Sequence, residues 1–597
     1  MAVITGDNGN NTLYGTRGFD IIYGLEGDDS LFAFESDDIL IGGPGADYLS
    51  GGGSIYGDFA SYVTATSGVV ADFLFPWDNA GDAAGDTYFE VEHIIGSDYD
   101  DALGGDNDPN IINGGAGNDF LAGRGGADEL FGGAGDDRLN GGEGADRLNG
   151  GTGHDVAEYV NSVFGVFVDL EWVGVGGDAD GDTYADIEEV AGSKFGDVVN
   201  GDSLGNLLYG LLGNDILRGR GGFDGLFGGA GDDELAGGDG NDQLFGEEGS
   251  DRLNGGEGDD QLIGAAGNDR LVGDAGNDSL FGGIANDVLD GSAGMDQMLG
   301  EAGNDLYYVD SAGDVVDEGL AGSDGNDQVI ASISFSLANP VVVRGAVEDL
   351  FLSGTADLNG AGNDLNNLLV GNYGRNALSG GAGNDHLLAL LGDDVLTGGS
   401  GVDTLLGGLG NDIYTVDAAN EANETDGDGI DTVRSTVSYG LGAGLESLYL
   451  LGTANINGAG NALGNRMIGS AGNNVLIGRL GRDVMTGNAG NDRFAFNSTA
   501  ESGVTSATRD IITDFNAGTA VATLDRIDVS PIDADALTGG NQSFIFGGPF
   551  VAGHIRAVQA GANVVLEFNT DGDAAAEMSI QLNNVLAANL NAGDFVL

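Results

Sequence analysis

From Gly192 to Tyr308 the apolar positions recur every nine residues, each as one large aliphatic residue between two others and bounded by glycines, as at Leu208, Leu217, Leu226 and Leu235. The same spacing runs through Leu121, Leu130, Leu139 and Leu148. A period of nine is neither the 3.6 of a helix nor the two of a long strand. It predicts three-residue strands, such as Phe120, Leu121 and Ala122, separated by six-residue glycine turns. Where the period breaks, apolar residues alternate instead, as at Val166, Val168 and Leu170, and longer strands are expected there.

The polar positions repeat with the apolar ones. The phrase G-G-x-G-x-D-x-L-x occurs roughly thirty-five times, with aspartate at its sixth place in about twenty-eight copies. Each frame supplies half a coil. Its one leucine buries too little apolar surface to offset the backbone entropy of ordering nine residues. Stacked coils also bring aspartates together, and two carboxylates roughly 5 Å apart repel by about 3 kcal/mol at an effective dielectric near 20. A hard cation that accepts six to eight oxygens from carboxylates and turn carbonyls removes both obstacles, so metal binding becomes folding free energy. Solvated turn aspartates, the competing explanation, would not keep a nine-residue register through thirteen consecutive frames.

Composition agrees. The 597 residues include 115 glycines and no cysteine, and 97 acidic against 19 basic residues give a formal charge of -78. Disulfide staples and thiolate zinc sites are excluded. Nucleic acid and anionic membranes are repelled, and multivalent cations are favoured. No stretch approaches membrane-spanning length. MAVITGDNGNNTLYG enters the repeat at Gly6 without a basic or apolar leader, so no cleavable signal is expected.

These nonapeptides resemble the RTX, or hemolysin-type calcium-binding, repeats. The resemblance implies an all-β, right-handed parallel β-roll solenoid with several calcium ions held by the G-G-x-G-x-D turns. Carried onto matching positions, it makes Asp215, Asp224, Asp233, Asp242, Asp251, Asp260, Asp269 and Asp278 ligands, followed in the same block by Asp287, Asp296 and Asp305. The equivalents elsewhere are Asp29 and Asp47, then Asp119, Asp128, Asp137 and Asp146, then Asp385, Asp394, Asp403 and Asp412, and finally Asp483 and Asp492. Turn glycines would add carbonyls: Gly114, Gly117, Gly123, Gly126, Gly132 and Gly135 in one block, and Gly228, Gly231, Gly237 and Gly240 in another. Asparagine takes the aspartate slot soon after each interruption, at Asn11, Asn110, Asn206, Asn367, Asn376, Asn465 and Asn474. These are expected to cap stacks that have a neighbour on one side only.

The breaks divide the chain into repeat blocks 1–53, 96–155, 192–308, 362–415 and 460–492, strand-rich insertions 54–95 and 156–191, spacers 309–361 and 416–459, and a β-rich region 493–597. The insertions are copies: Tyr62 answers to Tyr159, Asp72 to Asp169 and Asp86 to Asp182. The spacers form a second pair, GNDLYYVDSAGD and GNDIYTVDAANE. Tyr307, Tyr308 and Tyr449 are candidates for stacking on sugar, with packing in the roll the stronger expectation. The last hundred residues resemble the serralysin-type carboxy-terminal domain of type I secretion substrates. That implies an uncleaved tail at Asp594, Phe595, Val596 and Leu597, read by the export machinery, and an extracellular, cell-surface or matrix location. Partners would then be another copy of the chain, bridged by calcium, or cell-surface polysaccharide.

An enzyme is not expected. The four histidines are scattered and no H-E-x-x-H occurs, which excludes a zincin. GDSLG at 201–205 fits a nucleophile motif but lies in nonapeptide register, with Asn206 in the aspartate slot. The clusters Asp178, Asp180, Asp182 and Asp426, Asp428, Asp431 imitate paired catalytic carboxylates, though calcium loops or solvated turns are the stronger reading. NTDGD, with Asp571 and Asp573, is a weak calcium-loop pattern. A polysaccharide-acting enzyme with hidden acids, or a carrier for a separate catalytic partner, remain the rival expectations.

Overall fold

A computed structural model describes residues 1–319, 324–424, 428–517 and 524–597. Asp426 lies outside them. Two compact units, Met1–Gly325 and Asn326–Leu597, divide the chain, with the boundary inside the first spacer. Each is a parallel β-roll.

In the first unit, nonapeptides alternate between opposite walls, so residues eighteen apart pair. Leu208, Leu226, Leu244, Leu262, Leu280 and Met298 stack along one wall. Leu217, Leu235, Leu253, Leu271 and Leu289 stack along the other. These side chains are at most 1% exposed and fill the space between the walls. The strands exceed expectation. Phe120–Gly126 and Arg138–Gly144 each run from the leucine triplet through the next glycine pair. Their second glycine positions stay in the ladder, Arg124 opposite Gly142, because both adopt positive φ, +82° and +91°. Glycine fits that dihedral without strain, so turn and strand overlap here.

The insertions are enlarged coils of the same roll. Phe59–Ser61 lies between Ile39–Ile41 and His93–Ile95, Val70–Asp72 beside Ala102–Gly104, and Thr87–Phe89 beside Tyr48–Gly53. The second copy repeats this with Val156–Glu158, Phe167–Asp169 and Thr183–Ala185.

In the second unit the stacks include Leu369, Leu387 and Leu405 on one side and Leu378, Leu396 and Tyr414 on the other. The region after 493 adds strands to the roll's sheets. Asp510–Ile512 pairs with Val484–Thr486 and with Met578–Leu582, which continues into an antiparallel meander through Asn563–Asn569 and His554–Ala560. Arg526–Asp528 joins Arg493–Ala495 to the last strand, Phe595–Val596. Among the described residues no helix is long and apolar enough to cross a membrane.

Candidate metal centres in the buried carboxylate ladders

Every aspartate named above as a ligand is at most 3% exposed. Each uses one carboxylate oxygen in a ladder. The Asp119 amide donates to Asp137 Oδ1 at 2.8 Å, the Asp137 amide to Asp155 Oδ1 at 2.9 Å, and the Asp155 amide to Glu188 Oε2 at 3.0 Å. On the other side of the same block, the amides of Asn110, Asp128 and Asp146 donate to the next carboxylate at 2.7 to 2.8 Å. In the longest block one ladder runs through Asp197, Asp215, Asp233, Asp251, Asp269, Asp287 and Asp305, and a second through Asn206, Asp224, Asp242, Asp260, Asp278 and Asp296. The second unit has the same device at Asn367, Asp385 and Asp403, at Asn376, Asp394, Asp412 and Asp431, and at the heads of the last block, Asn465 to Asp483 and Asn474 to Asp492.

The second oxygen is the unusual one. With Asp305 set aside, and Asp197, whose Oδ2 accepts the Ser193 amide at 2.5 Å, Oδ2 of each of these aspartates is buried and meets no hydrogen-bond donor among the described residues. A buried carboxylate left this way is costly, which identifies the position a cation would fill. Its surroundings supply further oxygen. A methyl on Gly114 would lie 2.2 Å from Asp119 Oδ2 and 2.8 Å from the Gly132 carbonyl oxygen. At Gly123 the same distances are 2.3 Å to Asp128 Oδ2 and 2.6 Å to the Gly141 oxygen, and at Gly237 they are 2.3 Å to Asp242 Oδ2 and 2.7 Å to the Gly255 oxygen. Gly132 and Gly228 cradle Asp137 and Asp233 likewise. The first glycine of a frame is therefore required by the carboxylate of that frame.

The fourth glycine answers to close approach between coils. A methyl on Gly135, at φ +134°, would lie 1.8 Å from the Gly117 carbonyl oxygen; Gly231 and Gly240 are equally crowded by the coil before, at 1.4 and 1.5 Å. Gly126 takes the same turn, at φ +117°. Carboxylate and carbonyl oxygens without nitrogen or sulfur suit a hard cation such as calcium.

Burial pushes these carboxyls upward, to about 7 at Asp47, Asp119, Asp128, Asp215, Asp224, Asp251 and Asp260 and to about 8 at Asp287, against the partial relief of the ladder amides. Neighbouring carboxylates add to the rise in each of these cases.

Five further carboxylates share the pattern: Asp38, Asp58, Asp155, Asp431 and Asp510. Asp38 and Asp155 stand sixth in degenerate frames, AFESDD and GGTGHD, so register alone would have found them. Asp431, 19 residues after its preceding rung, stands sixth in the degenerate frame DGDGID and was named above in an acidic cluster, whereas Asp58 and Asp510, spaced 20 and 27 residues, stand outside the register and only the ladder reveals them.

Asn11 does stand at the edge of its sheet with a neighbour on one side, but the other six asparagines are not one-sided caps. Asn110, Asn206, Asn367, Asn376, Asn465 and Asn474 are at most 2% exposed. Five of them turn the side-chain amide toward the coil before. Asn110 donates to the Glu92 carbonyl at 2.7 Å, Asn367 to that of Glu348 at 2.9 Å, Asn376 to that of Leu358 at 2.9 Å, Asn465 to that of Leu445 at 3.1 Å and Asn474 to that of Ile456 at 2.6 Å. An interruption coil presents a carbonyl where a repeat coil presents an amide, so the ladder needs a donor there.

The interruptions also satisfy their own acids. Tyr62 donates to Asp86 Oδ2 at 3.0 Å and touches the Tyr88 hydroxyl at 2.6 Å; Tyr159 treats Asp182 and Tyr184 the same way at 2.8 and 2.7 Å. Asp182 is thus a ladder rung, not part of a loop site with Asp178 and Asp180. Arg220 forms two bonds to Asp169, at 3.0 and 2.7 Å, and one to the Gly201 carbonyl at 2.6 Å, and Arg124 does the same for Asp72 and Gly105. Tyr307 is fully buried and bonds Glu318, so it is no sugar platform, while Tyr449 stands 5.9 Å beneath the Arg466 guanidinium. Ser203 lies in a turn whose Asp202 and Leu204 amides bond Asn206 and Asp202.

The family profile of the RTX calcium-binding nonapeptide repeat (4 copies) matches residues 5–54, 95–157, 192–316, 361–414 and 460–494, more than half of the chain. No curated protein matches. Among solved structures, the extracellular lipase LipA from Serratia marcescens is similar at 18% identity with a TM-score of 0.13, over 46% of this chain and 45% of that one, so the chain spans less than half of the lipase's length. The nonapeptide profile, the parallel roll and the all-oxygen turns place the chain in the RTX calcium-binding repeat family, whose nonapeptides bind calcium.

Proposed function

We propose that the ladder aspartates named above are the calcium ligands of this chain, and that it is a secreted protein which folds on extracellular calcium and serves a structural or adhesive role in a surface coat or matrix. One observation carries the reading: a long series of buried carboxylates, each with an oxygen that meets no donor among the described residues and that, in frames such as those of Asp119, Asp128 and Asp242, lies beside a main-chain carbonyl. At submicromolar calcium these groups oppose folding; at the millimolar concentrations outside cells, where extracellular modules bind, the opposition is lifted. The charge of -78 adds a general repulsion that cations relieve.

Export through a type I channel fits this switch. Phe595–Val596 is a paired strand and Phe595 is 6% exposed, so a tail read by the transporter is accessible only before folding. Calcium-free cytosol keeps the chain in that state. Outside, a second copy bridged by calcium, or a cell-surface polysaccharide, is the partner this reading calls for. Sedimentation velocity of the full chain, in chelator and then across micromolar to ten millimolar calcium, tests both halves. Compaction followed by large ordered species supports the coat reading. Compact monomers alone restrict the function to a diffusing calcium-folded protein, and a compact chain in chelator at neutral pH rejects the switch.

A further inference from the structure

The second spacer holds a carboxylate that belongs to no nonapeptide. In the regular coils of the second unit, the first glycine of a frame donates its amide to the carbonyl seventeen residues later: Gly362 to Ser379 at 2.8 Å and Gly371 to Leu388 at 2.7 Å. At Gly407 that partner would be residue 424, and the pattern changes. The leucine slot of this frame holds Tyr414, which stacks on Leu396 and is fully buried. Its hydroxyl accepts the Gly407 amide at 2.8 Å and donates to the Glu424 carboxylate. The tyrosine substitutes for the missing carbonyl and turns Glu424 inward.

There Glu424 meets two ladder rungs. One carboxylate oxygen from each of Asp412, Glu424 and Asp431 lies within 4.8 Å of the others, and all three residues are buried. Asp412 and Asp431 are 0% exposed, each accepts a ladder amide on Oδ1 at 2.8 Å, and Oδ2 of each meets no donor among the described residues. None of the three forms an ion pair with Lys or Arg among the described residues. Oxygens held by one calcium-sized ion at about 2.3 to 2.6 Å lie no more than about 5 Å apart, which is the separation found here.

We propose that Asp412, Glu424 and Asp431 form a closed cation site, different in kind from the repeat turns, that binds calcium and binds a trivalent lanthanide more tightly. The repeat turns offer carboxylate and carbonyl oxygens around a glycine; this site offers three carboxylates, positioned by the Tyr414 hydroxyl. It therefore carries the charge to match a trivalent ion. The inference deepens the calcium reading, because Asp412 also belongs to a repeat, and it adds a ligand, Glu424, that the nonapeptide pattern does not contain.

Anomalous diffraction decides it, on crystals of the full chain grown in calcium and exchanged with terbium. A peak enclosed by the three carboxylates, together with peaks at the repeat turns, is the expected result. Glu424→Gln, which keeps an acceptor for Tyr414, should remove the first peak and leave the others. In solution the same variant should shift the midpoint of tyrosine-sensitised terbium emission in its tightest phase at least tenfold. Peaks at the repeat turns with none among the three carboxylates overturn this site alone, as does a Glu424→Gln map identical to the parent. A peak among the three with none at the turns keeps this site and rejects the repeat reading, and no peak anywhere rejects both.

Discussion

The block 192–308 and the insertion 54–95 belong to the same unit and share one sheet, through Val70–Asp72, yet they neutralise acid differently. In the repeat block Asp215, Asp233, Asp251, Asp269 and Asp287 each keep a carboxylate oxygen that meets no donor among the described residues. In the insertion, Asp86 has the Tyr62 hydroxyl, and Asp72 has Arg124 from a repeat coil. The repeat coils are cheap in sequence and dependent on a cation; the inserted coil spends two tyrosines and an arginine on Asp86 and Asp72 and leaves Asp58 alone in the condition of a repeat aspartate. An uninterrupted stack of identical frames would lose every rung at once when calcium is withdrawn, whereas inserted coils give it rungs such as Asp86 whose second oxygen has a donor from the protein.

Calcium removal breaks the comparison open and has the largest effect. Chelation at neutral pH should abolish amide protection across 192–308 before it does so around Tyr62, Asp86 and Tyr88, as followed by hydrogen exchange during a calcium titration. Simultaneous loss in both regions would show that the tyrosine network has no independent stability.

Acid offers a second route to the same end. The carboxyls of rungs such as Asp119, Asp215 and Asp251 rise from an ordinary 3.8 to about 7 in the folded, metal-free chain, so that state binds more protons than the unfolded one between about pH 4 and pH 7. Stability without calcium is therefore greatest at the acid end and falls as pH rises through that window. Circular dichroism in chelator should show β structure near pH 4 that is lost by pH 7.5, with calcium restoring it at the higher pH.

Much of this was legible before the structure. Leucine spacing gave the roll, and the sixth-place aspartate marked nearly all the rungs. What could not be read were contacts made by residues outside the period. Asp58 and Asp510 join ladders because an enlarged coil returns to the same axis after 20 or 27 residues instead of 18. Asn110 looked like an end because its charge is missing, when in fact its amide faces the Glu92 carbonyl of a coil already in place. Each interruption ends in a glutamate that closes the ladder before it, Glu92 beneath Asp58 and Glu188 beneath Asp155, and the longer side chain that permits this has no signature in a single sequence.

Two substitutions probe the ladder itself at smaller cost. Gly231→Ala forces a methyl against the Gly213 carbonyl, 1.4 Å away, at φ +146°, and should destabilise the calcium-bound chain by about 1–3 kcal/mol in thermal unfolding. Asn110→Asp replaces a donor by a carboxylate oxygen facing the Glu92 carbonyl, for a loss of about 1–3 kcal/mol with no new tight calcium site in a competition titration. A tight site there would mean that asparagine is chosen for something other than the polarity of the coil before it.

The smallest expected effect sharpens the comparison most. Tyr159 is fully buried, and its hydroxyl is the donor to Asp182 Oδ2 in the second insertion. Tyr159→Phe keeps the ring in its packed slot and deletes only that donor, so Asp182 acquires the electrostatic problem of a repeat aspartate while the ladder bond from the Asp146 amide to its Oδ1 remains. In saturating calcium the change should be below about 1 kcal/mol if a cation reaches the vacated oxygen, whereas in low calcium the local loss should approach the about 1–3 kcal/mol cost of a buried unsatisfied acceptor. Hydrogen exchange at Asp182 to Ala185 in parent and variant, at two calcium concentrations, measures the difference. A penalty independent of calcium would mean that the insertion excludes metal by shape as well as by supplying its own donor, and that the two kinds of coil are not interconvertible by one hydroxyl.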